Sequence, residues 1–155
     1  FRGLKGSVYE GGLRVPLVVN WPGNVSAGSR TRHLSAFQDV MPTLLDIAGV
    51  PTPDDLDGIS FAPTLRSAGE QQEHEALYFE FPSYGGQQAV RAGRWKLLRR
   101  QLLKGKPTFA LYDMEADESE AVDVASLHPA VVERLMGIAD REHKPSEHFP
   151  FPALD

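Results

Sequence analysis

The sequence has no cysteine among its 155 residues. That excludes disulfides, thiolate metal sites and a thiol nucleophile, and it leaves the redox compartment open. No apolar run approaches the length of about 18 residues that a membrane-spanning helix needs. There is no basic excess either: 16 Lys and Arg stand against 21 Asp and Glu, for a net charge of −5. A phosphate-backbone binder carries the opposite sign, so nucleic acid is not an expected partner. The densest basic run, Arg91 to Arg100, is interleaved with strand-forming residues and reads as the solvent face of a hairpin. What remains is an ordinary globular balance, 41% hydrophobic and 24% charged, in a chain long enough to bury a core.

Two textures follow each other along the chain. Val15 to Trp21 is apolar, β-branched and closed by Pro22-Gly23, which predicts a buried strand entered at Pro16. Ser35 to Ala48 has helical spacing, with Asp39 near the first turn, Gly49 at the C′ position and Pro51 beyond it. Phe61 to Arg66 predicts a short helix, and the polar stretch Ser67 to Glu75 predicts a boundary. From there the pattern is strand-like over Ala76 to Phe81, Gln87 to Ala92, Trp95 to Arg100 and Thr108 to Met114. Glu115 to Ala125 reads as a solvated acidic turn. Pro129 to Glu142 predicts an amphipathic helix started by a proline at N1. Sequential hairpins followed by a helix predict an antiparallel sheet covered on one face. The tail, Lys144 to Asp155, is expected to run extended over the surface.

The densest feature is the opening stretch, where Gly3, Gly6, Gly11 and Gly12 bracket Lys5 and Glu10, and Arg14 follows. Glycines let backbone approach an anion closely, and a lysine is a compact point charge. The residues alone leave two readings of Lys5 open, a solvated loop cation or an anion ligand. A P-loop is excluded, because the four-residue spacer and the Gly before Lys are missing. Glu10 and Arg14 stand four apart and are expected to pair and lock the turn. His33, His74, His128, His143 and His148 form no helical ligand pair and read as surface or capping residues. No metal site is expected in this chain.

These residues resemble a known family. Gly3-Leu4-Lys5-Gly6, Tyr9 to Pro16 and Trp21-Pro22-Gly23 are similar to the second signature region of the sulfatases, in the alkaline-phosphatase-like superfamily. Asp39 to Gly49, Leu56 to Ser60, Ala89 to Leu97 and Leu111 to Met114 continue the resemblance in order. It implies an α/β fold that is α+β in its C-terminal part. Residues 1–75 would end the catalytic α/β domain. Residues 76–155 would form a small antiparallel-sheet domain packed against a long C-terminal helix.

The resemblance further implies that Lys5 contacts the sulfate oxygens during hydrolysis of a sulfuric ester, with Glu10 and Arg14 as structural support. Tyr84 and Gln87, in a loop that also reads as a plain hairpin connection, are candidates for the substrate-pocket wall. The family's nucleophile is a formylglycine made from the Cys or Ser of a C/S-x-P-x-R motif, and no such motif occurs here. Formylglycine and calcium are therefore expected in a missing N-terminal part, and this chain alone is expected to be inactive. The implied partners are the rest of a sulfatase chain and a sulfated small molecule or carbohydrate, in a periplasmic, secreted or lysosomal setting. Two alternatives stand beside this: a phosphate or phosphonate ester hydrolase of the same superfamily, and a non-catalytic carbohydrate-binding or assembly module.

Overall fold

The computed structural model describes residues 1–155. In chain order its elements are α1 (Glu10–Leu13), α2 (Val40–Ala48), α3 (Ala62–Arg66), β1 (Leu77–Phe81), β2 (Gln87–Ala92), β3 (Trp95–Arg100), β4 (Thr108–Asp113) and α4 (Pro129–Glu142). Short 3-10 turns lie at Phe37–Asp39, Leu102–Lys104 and Ala125–Leu127. The chain divides into two units. One joins Phe1–Val15 to Glu75–Asp155, and the other is Pro16–His74.

The first unit is built on a four-stranded antiparallel meander, ordered β1-β2-β3-β4. The register sets Ala89, Leu98 and Ala110 in one row and Val90, Leu97 and Leu111 in the next. Adjacent rows face opposite sides of a sheet. The second row packs on Leu135, Ile138 and Ala139 of α4. The first row packs with Val8, Tyr9, Tyr112 and Met114. The expected one-sided sheet is thus corrected to a two-sided one, because the glycine-rich segment brings Val8 and Tyr9 onto the second face. This explains why β2 and β3 lack a clean in-and-out alternation.

Two other expectations need correction in this unit. Lys96, within the basic run, lies on the face shared with Leu98 and is 1% exposed, not solvated. The acidic turn is tied by Asp117, whose Oδ2 accepts the amides of Ala121 and Val122 at 2.7 and 2.8 Å. Yet Glu120 within it is wholly buried. Both departures have one cause, an ion cluster described below. The tail is pinned rather than simply extended. Phe151 is fully buried, its ring edge-on to His143. His143 itself sits between Glu80 (2.8 Å to Nδ1) and Asp155 (3.1 Å to Nε2).

In the second unit the predicted helix appears as a 3-10 turn running into α2, ended by Gly49 with φ +66°. Asp39 organises the unit. Its carboxylate accepts the amides of Ala36 (2.7 Å) and Ile59 (2.8 Å) and bonds His74 Nε2 (2.8 Å). His74 and His143 are therefore mostly covered partners of carboxylates, not surface histidines. The strand expected over Val15 to Trp21 does not form. No other strand of this chain pairs with it, and Pro16 has no amide to give. Its apolar side chains stand in the open, Val18 at 88% exposure.

The two carboxylates beside His143 raise its pKa above the ordinary 6.5; the Glu80 bond is the largest cause, and it outweighs the lowering effect of partial burial. A raised folded-state value stabilises the fold fully below pH 6.5, and the contribution is lost as pH climbs through the folded-state value. His143→Gln should flatten the pH dependence of the melting temperature in that window. Superimposable pH profiles for the two proteins would show that the latch carries no charge.

Candidate functional site

The Lys5 turn owes its shape to two glycine requirements. Leu4 O accepts the Ser7 amide at 3.0 Å, and Gly6 stands third in that turn with φ +84°. This is the type II pattern, in which that position favours glycine. Lys5 occupies the second position and is exposed. The start of α1 then presses on the strand of chain that leads into the turn. A Cβ at Gly11 would lie 2.3 Å from Gly3 O, and one at Gly12 would lie 2.0 Å from Ser7 O. Only glycine admits that approach, which the Gly11 amide seals with a 2.7 Å bond to Arg2 O.

The β1–β2 loop meets the turn from the other side. The Tyr84 ring packs on Gly6, where an added Cβ would fall 2.7 Å from it. Tyr84 holds φ +55° and stacks on Phe81, with ring centroids 6.0 Å apart, and its ring is exposed. Gln87 is buried, and its Nε2 donates to Gly6 O at 3.0 Å. The structure therefore brings Lys5, Tyr84 and Gln87 to one place. Tyr84 offers a free aromatic face there, while the Gln87 amide is already engaged by the turn.

Beneath the turn lies a buried ion cluster. Glu10 opens α1, and its Oε2 accepts Arg14 Nε at 2.7 Å, the expected pair. Its Oε1 takes Lys96 Nζ, also at 2.7 Å. Lys96 Nζ lies 2.8 Å from Glu120 Oε1 as well, a charge contact without hydrogen-bond alignment. The other oxygen of Glu120 accepts the Glu10 amide at 2.7 Å. Burial pushes the Glu10 carboxyl up, but the bonds and charges of Lys96 and Arg14 outweigh it, and the net position is below 4.5. Arg2 completes the frame: its guanidinium donates to Glu120 O at 2.8 Å and lies 4.4 Å from the Tyr9 ring centroid.

Lys96 and Glu120 are the residues that sequence reading missed. A signal for Lys96 was present, since it sits two residues before Leu98 on a short strand and period two puts both on one face. Glu120 had no comparable signal in its acidic, turn-rich setting. The chain has no C/S-x-P-x-R motif, and no three His, Cys, Asp or Glu side chains converge to hold a metal. What it can offer an anionic substrate is the exposed Lys5 ammonium on a braced turn beside an aromatic ring.

A two-faced meander with a long helix, joined to a braced glycine–lysine turn, matches the C-terminal portion of sulfatases with the alkaline-phosphatase-like fold. The chain belongs to the family of the N-sulphoglucosamine sulphohydrolase C-terminal region, whose model matches residues 4–141. Mouse (Mus musculus) steryl-sulfatase is 41% identical over 97 residues, covering 61% of this chain and 15% of the relative. N-acetylglucosamine-6-O-sulfatase of Bacteroides thetaiotaomicron is 32% identical over 121 residues, covering 73% and 21%. A solved structure in complex with its substrate, D-glucosamine-2-N,6-O-disulfate, superposes with a TM-score of 0.74 at 27% identity, covering 87% of this chain and 29% of that one. The chain thus spans about a fifth or less of the length of the two curated relatives.

A lowered Glu10 pKa stabilises the fold above pH 4.5, and that contribution is lost as pH falls through the folded-state value. Glu10→Gln should lower the melting temperature at pH 7 and narrow the gap to the parent as the pH is taken below 4. A constant gap from pH 7 to pH 3 would mean that Glu10 acts by packing alone.

Proposed function

We propose that this chain serves as the C-terminal part of a sulfuric ester hydrolase, to which it supplies the sulfate-binding lysine. One observation carries this: Lys5 is exposed on a turn whose Gly6 is bonded by Gln87 and packed on by Tyr84, inside the region matched by the sulfatase family. Cleavage of an S–O bond builds negative charge on the bridging and non-bridging oxygens. A preorganised cation stabilises that charge with little reorganisation. Glu10 and Arg14 support the turn, and the exposed Tyr84 ring forms a wall on which an apolar or sugar ring can stack. The relatives named above favour a sulfate ester, on a small molecule or a carbohydrate, over a phosphate or phosphonate ester.

The nucleophile and metal, formylglycine and calcium in this reading, come from sequence outside these residues. The open apolar side chains at Leu17, Val18, Phe37 and Met41 fit packing against further sulfatase chain.

The purified chain, incubated with calcium and a chromogenic aryl sulfate, should show no turnover; hydrolysis above the uncatalysed rate would refute the division of labour. In a longer enzyme carrying this chain, Lys5→Ala should reduce kcat/KM by ~10²–10³, the usual effect of losing one such contact. Unchanged kinetics would remove Lys5 from the site.

A further inference from the structure

We propose that Lys96 and Glu120 are positioning residues for Lys5, an inference that rests on Lys5 being the sulfate ligand. They touch no substrate in this account. They act by holding the segment that carries Lys5 at both ends. On the near side, Glu120 O takes the Arg2 guanidinium at 2.8 Å. On the far side, Glu120 Oε2 accepts the Glu10 amide at 2.7 Å, and Lys96 Nζ donates to the Glu10 carboxylate at 2.7 Å. Between the two ends, the Gly11 amide bonds Arg2 O and closes the segment into a loop, with Lys5 near its tip.

Three features point to positioning rather than stability as the reason for the cluster. First, taking charges out of water is costly, and replacing a buried ion group with well-packed apolar residues is often neutral or stabilising. An apolar core at this point would hold the sheet together as well. Second, Glu120 adopts φ +55°, a left-handed conformation unusual for its type, while completely buried. Such strain persists only where surrounding contacts over-determine it, and here they are the bonds to Arg2 and Glu10 and the charge contact with Lys96. Third, register leaves little freedom. Lys96 faces the glycine-rich segment because it shares a face with Leu98, and the neighbouring positions Trp95 and Leu97 face the other way. Apolar packing orients a segment broadly, whereas directional bonds to both of its ends fix the height and tilt of the turn. A misplacement of about 1 Å at a reacting group can cost ~10²-fold in rate.

The test is a double-substitution cycle in a longer, active enzyme carrying this chain, read as kcat and KM separately. Lys96→Met should lower kcat/KM by ~10–100-fold, with most of the loss in kcat. In a Lys5→Ala background the same substitution should change kcat/KM by no more than about twofold, because nothing remains to be positioned. Lys96→Arg, which keeps the charge, should recover part of the loss. Equal losses in both backgrounds, or no loss in either, would overturn the inference. If Lys96→Met does not fold, Glu120→Gln replaces it and should show the same non-additivity, since it keeps an acceptor for the Glu10 amide but removes the charge. If Lys5→Ala alone changes nothing, the sulfate-ligand reading fails. The clamp is then judged by amide hydrogen exchange in Glu120→Gln, where faster exchange at Glu10 and Gly11 with β2 and β3 unchanged supports it. Uniform or unaltered exchange overturns it. Should neither variant fold, exchange in the parent decides. Protection of the Glu10 and Gly11 amides equal to that of β3 supports the clamp, and fast exchange there overturns it.

Discussion

The ammonium of Lys96 cannot lie buried in a sheet face without anionic partners, and that constraint shapes much of the first unit. Its partners come from opposite ends of the sequence, Glu10 from the glycine-rich start and Glu120 from the turn between β4 and α4. Leaving either carboxylate out would reduce the partners of the buried ammonium from two to one, and breaking a buried ion group in this way is destabilising. The segment 1–15 therefore belongs with the sheet of residues 77–113. Its apolar residues Val8 and Tyr9 follow and cover the sheet face that α4 leaves open.

From this tie the geometry of the candidate site follows in order. Glu10 is held, so α1 is held. Gly11 and Gly12 let α1 press on the chain leading to Lys5, and Gly6 lets that chain turn. Gln87, on the sheet face shared with Lys96, grips the turn from its other side, and Tyr84 lies against it. An exposed lysine on a long flexible side chain ordinarily sweeps a wide volume. Here the backbone that carries it is held by the Gly11 bond to Arg2 O, the Gln87 bond to Gly6 O and the Tyr84 ring.

Much of this was legible in the sequence. The four strands and α4 were marked by period and by their bounding Gly and Pro residues, with ends correct to within one residue. The Lys5 motif was visible in its glycines, and the Glu10–Arg14 pair in its spacing. What was hidden depends on contacts between distant segments. A run such as Val15 to Trp21 reads as a strand from its composition, but a strand needs a neighbour, and this chain supplies none. Lys96 and Glu120 looked like surface charges because charge type usually predicts exposure. Only a fold that brings residues 10, 96 and 120 together makes burying them tolerable.

The most direct measurement is a crystal structure of a longer enzyme carrying this chain with a sulfated ligand bound. Lys5 Nζ should lie within hydrogen-bonding distance of a sulfate oxygen, while Lys96 Nζ stays between the carboxylates of Glu10 and Glu120. A Lys5 side chain turned away from the ligand, or a Lys96 released into solvent with the Lys5 turn unmoved, would contradict the account.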